Sequence, residues 1–163
     1  MTATYDLIAS NVLTSSASSV TFSSIPATYR DLVLVMANAK NASATSSCRM
    51  VLSATTSPDY QVINMRGSGS SASSSTRSTA YIDVLFSNFL STTDVNTAII
   101  QIMDYSATDK HKSVLIRADS AGQGTEATAA RFPSTSAVNS IEINAAGSNF
   151  ASGSTFYLYG IVS

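Results

Sequence analysis

The chain has 163 residues and a mass of 17.0 kDa, a size that fits one domain able to bury a sizeable core. Its 31 Ser and 18 Thr are about three residues in ten, charged residues are only 12%, and the formal net charge is −1. With no basic excess to neutralise a phosphate backbone, nucleic-acid binding is disfavoured.

Other classes fall away on equally simple grounds. A single cysteine, Cys48, cannot close an intrachain disulfide. The longest apolar run, Leu32 to Ala37, is far shorter than a bilayer span. The first residues, Met1 to Asp6, lack the basic start and apolar stretch of a signal peptide. The expectation is a soluble, neutral protein made in the cytoplasm, with residues 1–20 an arm or edge strand and 21–163 a single β-sandwich domain.

In chain order, short β-branched or aromatic runs bounded by Ser, Asn, Asp or Gly predict strands. They cover Thr4–Ala9, Ser19–Phe22, Asp31–Asn38, Cys48–Ala54, Tyr60–Met65 and Thr79–Phe86. The series continues with Val95–Asp104, Lys112–Asp119, Thr128–Phe132, Val138–Asn144 and Ser154–Val162. Period-two texture runs through them, with Ile82, Val84 and Phe86 expected on one face. Eleven strands without an amphipathic helix predict an all-β, antiparallel β-sandwich or barrel. The run from Gly67 to Thr76, almost all Ser and Gly, is expected to be a long surface loop, with Ala39–Ser47 and Ala121–Thr125 shorter ones.

Two strands are apolar on both sides. In Asp31–Asn38, Leu32, Leu34 and Met36 alternate with Val33, Val35 and Ala37; in Ser154–Val162, Phe156, Leu158 and Val162 stand against Tyr157, Tyr159 and Ile161. A two-layer sandwich needs one buried face per sheet. Either loops cover the second face, or another subunit does.

A search for chemistry finds no catalytic, cofactor-binding or metal site. His111, the only histidine, sits in the polar Asp109–Lys112 turn with no nucleophile elbow elsewhere. One His and one Cys cannot complete a zinc site unaided, and Cys48 beside Met50 and Leu52 reads as a core residue. The acids Asp6, Asp31, Asp59, Asp83, Asp94, Asp104, Asp109, Asp119, Glu126 and Glu142 are scattered. A polysaccharide hydrolase would require distant ones, such as Asp83, Asp104 and Glu142, to converge. Asp83, between Tyr81 and Leu85, is a candidate to face an interface or to meet an arginine.

Two stretches carry a resemblance. One is Phe22-Ser-Ser-Ile-Pro-Ala-Thr-Tyr-Arg-Asp-Leu-Val-Leu-Val35, where Pro26 sets a turn and Asp31 leads into a buried strand. The other is Asn149-Phe-Ala-Ser-Gly-Ser-Thr-Phe-Tyr-Leu-Tyr-Gly-Ile161. From about Val20 onward the chain resembles the jelly-roll-like β-sandwich domain of tailed-phage virion proteins, with Gly67–Thr76 in the place of a Gly/Ser-rich loop. The resemblance implies a non-enzymatic bacteriophage structural protein, a capsid decoration or cement protein bridging shell subunits. A tail-fibre or tail-tip module binding a host-surface glycan is the alternative. It further implies localisation in the virion, contact with the major capsid protein or tail proteins, and a homo-oligomer, with a homotrimer favoured. No cofactor, nucleic acid or membrane is expected.

Overall fold

The computed structural model describes residues 4–53 and 59–162, and among these there is no helix. Twelve antiparallel strands form two sheets. The first four are β1 (Tyr5–Val12), β2 (Ser19–Phe22), β3 (Asp31–Ala39) and β4 (Ser46–Leu52). Then come β5 (Tyr60–Gly67), β6 (Ala72–Thr79), β7 (Ile82–Leu90) and β8 (Asn96–Met103). The last are β9 (Lys112–Ser120), β10 (Gly124–Phe132), β11 (Ile141–Asn144) and β12 (Thr155–Ile161). The predicted strand Cys48–Ala54 ends at Leu52; Ala54 lies outside the described residues.

The large sheet runs β1-β12-β3-β8-β9-β10-β5-β6 and the small one β2-β11-β4-β7. Within that order β1 pairs with β12, β2 with β11, β3 with β8 and β4 with β7. Those eight strands, four per sheet, have the rolled pairing of a jelly roll. Two hairpins, β5–β6 and β9–β10, pair with one another and extend the large sheet beyond β8.

The core forms because strand faces alternate. Leu32, Leu34 and Met36 of β3, Ile100 and Ile102 of β8, and Phe156 and Leu158 of β12 turn inward and are buried. Opposite them lie Met50 and Leu52 of β4 and Ile141 and Ile143 of β11. Tyr60 stacks on Phe132 at 5.3 Å, closing the core under the extension.

Two expectations are corrected. The stretch from Gly67 to Thr76 is not one long loop: only Ser68–Ser71 turn, and Ala72–Thr79 is an edge strand paired along its whole length with β5. Backbone pairing needs no apolar side chain, and Ser and Thr suit an edge that must stay wet on one side. The face shared by Ile82, Val84 and Phe86 is also broken. Arg49 pairs with Asp83 but Cys48 with Leu85, so Val84 is an extra residue and the alternation reverses. Val84 and Leu85 are both buried, whereas Phe86 is half-buried.

Candidate assembly face

The residues singled out for chemistry do not come together. His111 and Asp109 are exposed in the turn before β9. Cys48 is fully buried, its thiol 3.9 Å from the Met36 sulfur, and burial pushes its pKa up. Asp104 follows β8 of the large sheet and meets Lys110 at 3.4 Å. Glu142 lies on the outward side of β11 in the small sheet and accepts a hydrogen bond from Asn144 at 3.1 Å. Asp83, on edge strand β7, is buried and ion-paired with Arg77 of its own chain. No group of three or more His, Cys, Asp or Glu suited to a metal ion is present among the described residues.

The densest polar chemistry is a seam of which the sequence indicates one contact, an arginine for Asp83. At the edge where β6 meets β7, Arg77 bonds Asp83, lies 4.3 Å over the Phe86 ring and donates to Asn64 Oδ1 at 3.3 Å. Arg49 lies 4.0 Å over Tyr81 and Arg66 lies 4.2 Å over Phe89. Glu126, 4% exposed, accepts the Phe86 N–H at 2.7 Å through one oxygen. Burial raises its carboxyl pKa to about 7, although that hydrogen bond and the Arg66 and Arg77 guanidiniums pull it down. The seam fastens the large sheet to the small one, a structural task.

Outward faces of the two sheets differ in kind. On the small sheet the outward side chains include Thr21, Ser47, Arg49, Val51, Glu142 and Asn144, a mostly polar surface. On the large sheet the pairing lines apolar groups up across the strands. Leu7, Tyr159 and Val33 continue through Gln101 to Leu115, Ala129 and Ile63. The next row runs from Tyr157, Val35 and Ile99 through Arg117 to Ala127 and Met65. Leu7 is 56% exposed, Ile63 and Met65 are 52% and Leu115 is 43%, whereas Val35, Ile99, Tyr157 and Tyr159 are half-buried and Val33 is buried among them, so the band is open at its margins and partly closed over β3. Its charged groups are Asp31, Arg117, Asp119 and Arg131; outward positions of these strands carry no Lys or Glu. Single exposed apolar residues are ordinary on a protein surface, but a contiguous band marks an interaction site. The chain has only three Lys and two Glu in all, so their absence here follows from composition; Tyr and Arg, which are favoured in interface cores, are present.

The band is uneven. Over Ala127 and Ala129 the short side chains leave two hollows of about 740 and 570 Å³, walled by Met65 and Arg117 in one and by Ile63 and Arg131 in the other. Sequence alternation in β3 and β12 signals the apolar outer rows. The cross-strand register that joins them to β5, β9 and β10 is a property of the folded sheet.

No protein-family model, curated protein or solved structure matches the chain.

Proposed function

We propose that the protein is a non-enzymatic structural component of a tailed-phage particle, a decoration or cement protein that bridges and stabilises shell subunits. The observation that carries this reading is the broad apolar outward face of the large sheet, set against the mostly polar outward face of the small one. A molecule with two such unlike faces is suited to standing in one orientation between protein neighbours. The mechanism is mechanical: apolar surface buried against neighbours at high local concentration adds cohesion, and the near-zero net charge opposes it little. The resemblance of Phe22–Val35 and Asn149–Ile161 to phage virion sandwiches supplies the setting; it is an argument by likeness.

The tail-module alternative requires a sugar site. A polar groove of about 620 Å³ beside β11 offers Glu142, Asn144, Ser148 and Asn149 as hydrogen-bonding groups. It has no aromatic side chain in its lining to stack on a sugar ring.

Copy number decides between the two. Quantitative mass spectrometry of purified particles should give this chain at a level comparable to the major shell protein. A few copies per particle would favour the tail module, and absence from particles would overturn both.

A further inference from the structure

The seam between β8 and β9 divides the outward face of the large sheet into unlike halves. The β1-β12-β3-β8 half carries the bulk, Leu7, Tyr157 and Tyr159 standing above Val33 and Val35. The β9-β10-β5-β6 half carries the hollows over Ala127 and Ala129. We infer that a second copy of this chain packs on this face about a two-fold axis running along that seam, so that the bulky half of each copy fills the hollowed half of the other.

Register makes the match specific. A two-fold axis parallel to the strands keeps each residue at its own level along them, laying β3 over the partner copy's β10 and β12 over its β5. Tyr159 and Ile63 share one level, and Tyr157 and Met65 share the next. Each tyrosine therefore meets the aliphatic wall of a hollow, and Tyr157 gains a sulfur–aromatic contact with Met65. One pair of charges matches as well. Leu32 pairs with Ile102, which puts Asp31 level with Met103; Met103 pairs with Ser113, and Ser113 with Arg131. Asp31 of each copy then faces Arg131 of the other, twice by symmetry. Packed sheets align within about 30°, which keeps the strands nearest the axis in this correspondence.

The area suffices. Eight strands about 4.8 Å apart and about 26 Å long present roughly 1,000 Å², against about 800 Å² per partner in a standard interface. An isologous interface needs one self-complementary patch, and this face is one. A three-fold arrangement cannot superpose bulk on hollow across the whole face in a single contact. The inference uses the same face that carries the phage reading and makes a second copy of this chain the neighbour buried there; its test needs only the chain in solution, so it can fail or hold whatever the particle shows.

Sedimentation equilibrium of the full chain at micromolar concentration should give twice the 17.0 kDa chain mass. Leu115→Asp, at an exposed position beside the axis, should give monomer with an unchanged circular dichroism spectrum. Arg131→Glu, which sets like charges at both Asp31 contacts, should weaken the pair about tenfold. For geometry, Val35→Cys and Ala127→Cys chains, both at half-buried positions on one level of β3 and β10, are mixed and treated with a bismaleimide about 10 Å long, matching the sheet spacing. The mixed dimer should cross-link and neither variant should cross-link to itself. The two sites lie three strands apart within one chain, about 14 Å. A monomeric or trimeric wild type, a dimer indifferent to Leu115→Asp, or self-linking of either cysteine variant would overturn the inference.

Discussion

Glu126 shows how much one side chain can set the conditions of folding. It is held beneath β7 with one oxygen on the Phe86 N–H and the other without a hydrogen-bond partner. Its carboxyl loses a proton near 4.5 in the unfolded chain and near 7 in the folded one. Between those values the folded state keeps a proton that the unfolded state has released, so stability falls as pH rises through that window and levels off above it. The fall is up to about 3 kcal/mol. In Glu126→Gln, which cannot ionise, urea midpoints at pH 5 and pH 8 should differ far less than in the wild type. Lys112 is the opposite case, a buried cation whose needs are met. Its ammonium donates to the carbonyls of Ala107, Lys110 and Ser134 at 2.6, 3.1 and 3.1 Å, tying the turn after β8 to the segment after β10. Lys112→Met keeps the bulk but leaves three acceptors unpaired, and should cost about 2–4 kcal/mol in chemical denaturation. In sequence Lys112 is one of three basic residues in a polar turn; only the fold shows it turned inward at the first position of β9.

At the scale of elements, β6 is the informative failure. Pattern reading rests on apolar periodicity, and Ala72–Thr79 has no apolar side chain larger than alanine to display one. The strand exists because β5 offers it a full ladder, and Arg77 anchors it. Arg77→Ala removes the cation paired with buried Asp83 and the guanidinium over Phe86. The expected loss is about 3 kcal/mol, because the remaining charge stays buried. Hydrogen exchange should rise most in the β6 amides and least in β3, whose neighbours β12 and β8 are unaltered. If protection fell equally everywhere, the strand would not be a separately fastened edge. Other elements were legible: β8 and β9 alternate cleanly, β3 and β12 stand out as runs apolar on both sides, and the boundaries of all four fall within a residue or two of expectation. β7 was legible only as a strand. Its bulge at Val84 reverses which residues face inward, and nothing in the order Ile82-Asp83-Val84-Leu85-Phe86 reveals an extra residue.

On the scale of the whole molecule, the rolled pairing has a kinetic consequence. The first strand pairs with the last, Tyr5 opposite Ile161, and β2 pairs with β11 across more than a hundred residues. Closing such contacts costs chain entropy before much burial repays it, so folding is slow for a chain of this size. Stopped-flow refolding from urea should show a principal phase in the range of about 0.1–10 s. Strand β12 is the keystone, since it alone joins β1 to β3 and carries Phe156 and Leu158 into the core. Removing residues 154–163 strips β3 of one neighbour, leaves β1 unpaired, and takes away the ring that Phe150 meets at 5.1 Å. Such a chain should show no cooperative unfolding transition. Removing residues 1–12 deletes only an edge strand, and the remainder should still unfold cooperatively at a lower urea concentration. The same truncation also takes Leu7 from the bulky half of the outward face, so the shortened chain should dimerise more weakly than the full one. Retention of full dimer affinity would place the contact elsewhere on the sheet.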